Sequence, residues 1–163
     1  MPNAPRALVV DDYDDAREMY AEFLAFKGYE VVQAQNGVQA VTLAGAVLPD
    51  LIVLDLALPD MDGIEVTRRL KRDPVTATIP IVMLTANAQP GMLHQARQAG
   101  CAEVLVKPCA PDDLLQVVQG LRRSEQADAR GLEAVHEQRP ALEVERVAAE
   151  QVHLGEDAGR DGP

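Results

Sequence analysis

The chain has 163 residues, enough for one domain with an ordinary hydrophobic core and a further segment. Hydrophobic residues make up 47%, aromatic residues only 3%, and tryptophan is absent, so aliphatic side chains must fill the core. The formal net charge of -11 disfavours direct binding to nucleic acid or anionic lipid, since both are negatively charged. No apolar stretch reaches bilayer length, and residues 1–6 lack the apolar region of a signal peptide. We therefore expect a cytoplasmic protein without membrane insertion.

Short apolar runs alternate along the chain with segments of helical periodicity. The predicted strands are residues 6–10, 29–34, 51–55, 81–85 and 103–106. The predicted helices are residues 14–27, 38–47, 63–72, 90–99 and 111–123. In the first helix the predicted apolar stripe consists of Ala16, Met19, Tyr20, Phe23 and Phe26. Such alternation predicts an α/β fold with parallel strands, right-handed crossovers and helices on both faces of the sheet.

The composition changes after residue 123, which predicts a domain over residues 6–123 and a separate acidic tail over residues 124–163. The tail has ten acidic and four basic residues. We expect it to be flexible or partly helical around residues 141–152, and we favour a solvated chain over a docking segment. It lacks the basic recognition helix of a DNA-binding effector. The expectation is a stand-alone domain that acts through other proteins.

Charged residues stand where three of the predicted strands end. Asp11 and Asp12 follow the first strand, Asp55 ends the third, and Lys107 follows the fifth. Because parallel strands place their carboxyl ends at one edge of the sheet, we expect these side chains to converge. Neighbouring carboxylates repel one another, and a hard divalent cation such as Mg²⁺ relieves that repulsion. The alternative is that Asp11 or Asp12 only caps the first helix, which would be favoured for a single aspartate but not for this set.

The same edge could support phosphoryl transfer. Asp55 ends a strand that we expect to be central, and a carboxylate can act as a nucleophile to form an acyl phosphate. Lys107 could balance charge on the phosphoryl oxygens as a point charge, and the Thr85 hydroxyl could donate a hydrogen bond to one of them. Each residue alone has an ordinary structural explanation. Their joint placement at strand ends favours a site.

The set Asp11-Asp12, Asp55, Thr85-Ala86 and Lys107-Pro108 resembles the receiver domain of two-component response regulators. The loop 58–63 resembles that family as well, and the match covers roughly residues 6–123. The resemblance implies a flavodoxin-like, doubly wound sheet of five parallel strands in the order 2-1-3-4-5, with five helices. It also implies a phosphorelay protein of two-component signal transduction rather than an enzyme with a separate turnover substrate.

The resemblance further implies a role for each site residue. Asp55 would accept a phosphoryl group from a histidine kinase or a phosphotransfer protein. Mg²⁺ would be held by Asp11, Asp12, Asp55 and the main-chain carbonyl of Ala57. Thr85 and Lys107 would bind the phosphoryl group. The face formed by the fourth helix, fifth strand and fifth helix would then change and be recognised by a downstream protein effector, and a homodimer through that face is compatible with the sequence.

Two residues depart from the pattern of the family. The position three residues before the lysine is usually aromatic and here is Val104, which bears on how the phosphorylated state is transmitted. The residue after Lys107-Pro108 is often phenylalanine and here is Cys109, a smaller packing residue that leaves the phosphorylation chemistry unchanged. Ala57 and Asn87 flank the site at positions that vary in the family and that could set the lifetime of the acyl phosphate.

Three alternatives belong to other functional classes. The first is a pseudo-receiver that acts as a phosphorylation-independent interaction module, a reading that Val104 supports and the complete acidic, hydroxyl and ammonium set opposes. The second is a phosphohydrolase with an aspartyl-phosphate intermediate, whose nucleophile we would expect in an Asp-x-Asp motif after the first strand. The third is a nucleotide- or flavin-binding protein, which the acidic run 11–15 disfavours because it would repel a phosphate.

Overall fold

The computed structural model describes residues 3–129, with side chains described as far as residue 124. The predicted tail therefore lies outside the described residues from position 130 onward. The strands are β1 (Arg6–Val10), β2 (Glu30–Ala34), β3 (Leu51–Asp55), β4 (Ile81–Thr85) and β5 (Glu103–Val106). The helices are α1 (Asp14–Phe26), α2 (Gly37–Val47), α3 (Gly63–Arg72), α4 (Pro90–Ala99) and α5 (Pro111–Ala129).

The five strands form one parallel sheet in the order β2-β1-β3-β4-β5. This order confirms the predicted fold class and makes β3 the central strand. The strand before Asp55 is buried throughout, as expected of a parallel strand covered on both faces. The first residues after β1, β3 and β5 consequently lie at the same edge of the sheet.

Alternate residues of the strands enter two separate hydrophobic cores. Leu8, Ile52 and Met83 face α2, α3 and α4, whereas Val9, Val53 and Leu84 face α1 and α5. The strand period of two explains this division, because successive side chains point to opposite faces of the sheet. Among the helices described within residues 3–129, none is both long and apolar enough to cross a membrane.

The predicted apolar stripe of α1 is wrong at two of its five positions, whereas Tyr20 is buried and Ala16 and Phe23 are half-buried. The buried face of α1 consists of Arg17, Tyr20, Ala21 and Leu24, while Met19 and Phe26 are exposed. Arg17 is buried because its guanidinium group hydrogen-bonds main-chain and side-chain oxygens, which compensates for its removal from water. A prediction that counts only apolar residues assigns such an arginine to the solvent side.

Most element ends coincide with the predicted ends and three differ by a single residue, but α5 continues to Ala129 instead of ending at residue 123. The predicted end rested on the change in composition. Residues 124–129 contain neither glycine nor proline and include residues with good helix propensity, so nothing in them ends the helix. By contrast, Gly28 and Gly100 follow helix ends with φ values of 99° and 114°, which residues other than glycine rarely adopt.

Candidate functional site

Asp55 lies at the C-terminal end of the central strand and is buried. Strand pairing continues beyond it, since the Leu56 amide donates to the Leu84 carbonyl over 2.9 Å. Gly63 then closes the following loop by donating its amide to the Leu56 carbonyl over 2.7 Å. The backbone on the C-terminal side of Asp55 is therefore fixed by two hydrogen bonds.

Asp11 is buried at the end of β1, and the neighbouring Asp12 is exposed. Asp11 Oδ1 accepts a hydrogen bond from the Tyr13 amide over 2.9 Å, while Oδ2 lies 3.1 Å from Lys107 Nζ. Tyr13 is the N-cap residue of α1 and makes no capping bond with its own side chain. One carboxylate oxygen of Asp11 thus supports the start of the helix, and the other faces the remaining charged residues.

Lys107 links two of the carboxylates. Its Nζ lies 3.0 Å from Asp55 Oδ1 and 3.1 Å from Asp11 Oδ2. Its own amide donates to the Thr85 carbonyl over 2.7 Å, which anchors it beside β4. One carboxylate oxygen from each of Asp11, Asp12 and Asp55 lies within 4.8 Å of the others. We call these three aspartates the acidic cluster.

The electrostatics of the acidic cluster are unbalanced. Burial raises the pKa of Asp55, and the charges of Asp11 and Asp12 raise it further against the opposing hydrogen bond from Lys107. Burial by itself lowers the pKa of Lys107, but its hydrogen bonds to Asp55 and Asp11 outweigh burial and raise it overall. Lys107 is therefore a cation at neutral pH. One ammonium group among three carboxylates leaves a negative charge that a further cation would balance.

The donor set fits Mg²⁺, which prefers hard oxygen ligands and retains several waters. Asp12 is exposed, so a hydrated ion can approach the acidic cluster from solvent. Ala57 lies two residues beyond Asp55 in the loop 56–62 and is exposed. Its predicted role as a carbonyl ligand stays a prediction.

Thr85 ends β4 beside the site and is buried. Its hydroxyl oxygen accepts a hydrogen bond from the Asn87 amide over 2.9 Å and lies 3.3 Å from the Asn87 carbonyl, to which it can donate. The structure thus places Thr85 on the strand next to Asp55, with its hydroxyl directed at the backbone two residues further on. A role in phosphoryl binding requires that this hydroxyl leave Asn87.

Arg17 is a buried residue of the site region that the sequence analysis missed. Its guanidinium group donates to the Asp11 carbonyl and to Gln33 Oε1, each over 3.0 Å, and lies 2.7 Å from Asp14 Oδ1. It therefore holds the main chain of Asp11. A signal was present in the sequence, because position 17 precedes the buried Tyr20 and Leu24 by three and seven residues, on one face of a helix.

The two departures from the family pattern occupy different layers of the fold. Val104 is buried in β5 within the core beneath α2, α3 and α4. Cys109 is partly buried, packs against the core beneath α1 and α5, and accepts a 2.9 Å hydrogen bond at its carbonyl from the Tyr20 hydroxyl. Both cysteines are free thiols.

A family model described as the response regulator receiver domain matches residues 7–119. The chain belongs to this family. This receiver domain is 42% identical over 123 residues to the phosphate regulon transcriptional regulatory protein PhoB of Pseudomonas aeruginosa, covering 75% of this chain and 54% of PhoB. It is 32% identical over 112 residues to the polar-differentiation response regulator DivK of Brucella anthropi, covering 69% of this chain and 91% of DivK.

Among solved structures, the chain resembles the receiver domain of the sensor histidine kinase PA1611 from Pseudomonas aeruginosa, crystallised with a magnesium ion in its active site cleft. The TM-score is 0.66 and the identity 32%, with coverage of 71% of this chain and 95% of that one. The chain spans about half the length of PhoB and of RpaA of Synechocystis, covering 54% and 49% of them. The receiver domain is therefore the part that these regulators share with it.

Proposed function

We propose that this receiver domain accepts a phosphoryl group on Asp55 in a reaction that requires Mg²⁺. The observation that carries the proposal is the contact of Lys107 Nζ with Asp55 Oδ1 at 3.0 Å and with Asp11 Oδ2 at 3.1 Å, inside the acidic cluster. A buried carboxylate beside a fixed cation and two further carboxylates is suited to nucleophilic attack on phosphorus and to metal binding.

The donor that we propose is a phosphohistidine of a histidine kinase or phosphotransfer protein. An oxygen of Asp55 forms a bond to phosphorus while the bond from phosphorus to the donor's imidazole nitrogen breaks. The nitrogen retains the electron pair and takes a proton from solvent. Lys107, already protonated, moves from a carboxylate partner to a phosphoryl oxygen. Mg²⁺ held by Asp11, Asp12 and Asp55 would neutralise charge on the phosphoryl oxygens.

The phosphorylated state is proposed to act as a switch. A phosphoryl group adds about two negative charges and strong acceptor oxygens at Asp55. The Thr85 hydroxyl can exchange its Asn87 backbone partners for one of those oxygens, which would release residues 85–87 at the start of the segment leading to α4. The face of α4, β5 and α5 would then be recognised by a downstream protein or a second copy, in the cytoplasm and without direct contact to nucleic acid. No separate substrate is turned over.

A direct test is incubation of the full chain with Mg²⁺ and acetyl phosphate, followed by intact-mass measurement. We expect one phosphoryl adduct in the wild type, none in Asp55→Asn, and none in the presence of EDTA. Glu18→Gln, which removes an exposed carboxylate of α1, is the matched control and should be modified like the wild type. A folded, Mg²⁺-binding wild type that acquires no adduct would contradict the proposal.

A further inference from the structure

The loop 56–62, which follows Asp55 and carries Ala57, is joined to the start of α2 by the side chain of Asp60. Asp60 Oδ1 accepts a hydrogen bond from the Gly37 amide over 2.8 Å, and Oδ2 accepts one from the Val38 amide over 2.9 Å. Oδ1 also accepts from the Met61 amide over 3.0 Å, within the loop itself. One carboxylate therefore connects two segments that are 22 residues or more apart in sequence.

These bonds complete the N-terminus of α2. The first amides of a helix have no partner within the helix. Among the described residues, the side chain of the N-cap residue Asn36 accepts a hydrogen bond from the Gln39 amide alone, over 2.8 Å. Gly37 and Val38 instead rely on Asp60. The positive end of the α2 dipole also favours the negative charge of Asp60.

Asp60 is negatively charged under ordinary conditions. Its slight burial acts to raise its pKa, but the hydrogen bonds from the backbone amides of Gly37 and Val38 outweigh this and lower the pKa below its ordinary range. The link between the loop and α2 is therefore a charge-assisted one, which is stronger than a hydrogen bond between neutral groups.

The rest of the loop is held at its base and by apolar packing. The Gly63 amide donates to the Leu56 carbonyl over 2.7 Å at the base. Leu58 and Met61 pack partly buried against the core beneath α2 and α3. Met61 also lies so close to Gly37 that a β-carbon on Gly37 would collide with its side chain. Asp60 is thus the polar attachment at the tip of a loop that runs from the phospho-acceptor to α3.

We infer that Asp60 is a positioning residue for the metal site: by attaching the loop to α2 through Gly37 and Val38, it fixes the segment that carries Ala57 and so sets the affinity of the acidic cluster for Mg²⁺. This inference rests on the proposed function of the same site. Asp60 itself touches neither the acidic cluster nor Lys107 in the hydrogen bonds and ion pairs of the described residues. Its effect must pass through the backbone of the loop.

The chain provides a matched control for this inference. Asp60→Ala and Asn36→Ala each remove side-chain acceptors from the same helix N-terminus, and each should lower the Tm of the protein. Only Asp60→Ala also detaches the loop. If weakening of α2 alone altered the metal site, both variants would change the Mg²⁺ affinity alike. If Asp60 positions the loop, only Asp60→Ala lowers the Mg²⁺ affinity.

The experiment measures the Mg²⁺ concentration that gives half of the maximal thermal stabilisation, and the concentration that gives half of the maximal rate of adduct formation from acetyl phosphate. We expect Asp60→Ala to raise both by about tenfold, at the lower end of the effect of substitutions behind metal ligands. Asp60→Asn retains one acceptor oxygen and should fall between Asp60→Ala and the wild type. Asn36→Ala should match the wild type, and the rate at saturating Mg²⁺ should be the same in every variant.

Amide hydrogen exchange supplies a readout that is independent of the chemistry. In Asp60→Ala we expect faster exchange at Gly37 and Val38, and in Asn36→Ala faster exchange at Gln39. Equal Mg²⁺ requirements in Asp60→Ala and Asn36→Ala, whether raised or unchanged, would overturn the inference. A wild type that binds Mg²⁺ without acquiring an adduct would refute the proposed function and leave the inference to be decided by the Mg²⁺ titration. A wild type that binds no Mg²⁺ would overturn both.

Discussion

Replacing Asp55 by asparagine should stabilise the metal-free protein, although it removes an ion pair. In the acidic cluster the carboxylate oxygens lie within 4.8 Å of one another. At an effective dielectric constant of about 20, two unit charges at that separation repel by roughly 3.5 kcal/mol. The attraction between Lys107 and Asp55 at 3.0 Å is about 5.5 kcal/mol on the same scale.

Asp55 thus meets two repulsions that together exceed its one attraction by roughly 1–2 kcal/mol on this scale. Solvent around the exposed Asp12 weakens its repulsion of Asp55, whereas burial of the Asp55 charge further destabilises the wild type. In Asp55→Asn, Lys107 keeps its contact with Asp11. We therefore expect a gain of about 1–2 kcal/mol in the free energy of unfolding, which corresponds to about 2–4 °C in Tm for each kcal/mol in a chain of this length.

The effect should depend on pH in a defined direction. Because the fold raises the pKa of Asp55 above its ordinary value of 3.8, the native state holds the proton more tightly than the unfolded state does. The stability of the wild type consequently falls as the pH rises from about 3.8 through the raised pKa. The advantage of Asp55→Asn should be absent below that window and complete above it.

Thermal unfolding followed by circular dichroism tests this prediction, with Glu18→Gln as the control for a lost surface charge. In EDTA at neutral pH the Tm of Asp55→Asn should exceed that of the wild type. Added Mg²⁺ should raise the Tm of the wild type more, since a ligand stabilises the state that binds it. A Tm of Asp55→Asn equal to or below that of the wild type in EDTA would refute this account of the electrostatics.

Three further substitutions test other contacts of the site. Lys107→Met leaves Asp11 and Asp55 without their cation, so we expect a loss of about 1–3 kcal/mol in the free energy of unfolding by urea at neutral pH, and this loss should shrink as Asp55 becomes protonated. Arg17→Met removes the donor to the Asp11 carbonyl and should lower the free energy of unfolding by about 2–4 kcal/mol, and Arg17→Lys should not restore it. A loss below about 0.5 kcal/mol would contradict the role assigned to Arg17. Thr85→Ala should still acquire the adduct, but phosphorylation should no longer change the hydrogen exchange of the Asn87 amide.

The convergence of Asp11, Asp55 and Lys107 could be predicted because the fold class constrains it. Alternation of short apolar runs with helical segments requires parallel strands, and parallel strands place their ends at one edge. No knowledge of distances is needed for that step. The strand order places β1 and β3 side by side, and the Lys107 ammonium group contacts one carboxylate from each, Asp55 Oδ1 at 3.0 Å and Asp11 Oδ2 at 3.1 Å. The sequence therefore sufficed to predict which charged groups meet.

The spacing of Arg17 places it on the helix face of Tyr20 and Leu24, but its burial could not be predicted from that spacing, because it depends on hydrogen-bond acceptors outside the apolar pattern. Its partners are the Asp11 carbonyl, Gln33 on β2 and Asp14 on α1. The apolar pattern of α1 implies none of these partners. That pattern includes Phe26, which is exposed, and leaves out Arg17, which is buried. Burial of a charge is favourable only where such partners exist, and that is a property of the assembled fold.

Asp60 shows where prediction from motifs alone reaches its limit. The loop 58–63 contributed to the resemblance as a string of residue types, without a physical role for each position. The structure shows that Asp60 serves a helix that begins 23 residues earlier in the chain, since its acceptors meet the amides of Gly37 and Val38. The Asp60 carboxylate accepts hydrogen bonds from the first amides of α2 and also holds the loop that follows β3. It therefore couples the N-terminus of α2 energetically to that loop. For that reason the metal site of this receiver domain should respond to substitutions in α2 that remove the Asp60 contacts, and not to those that weaken α2 elsewhere.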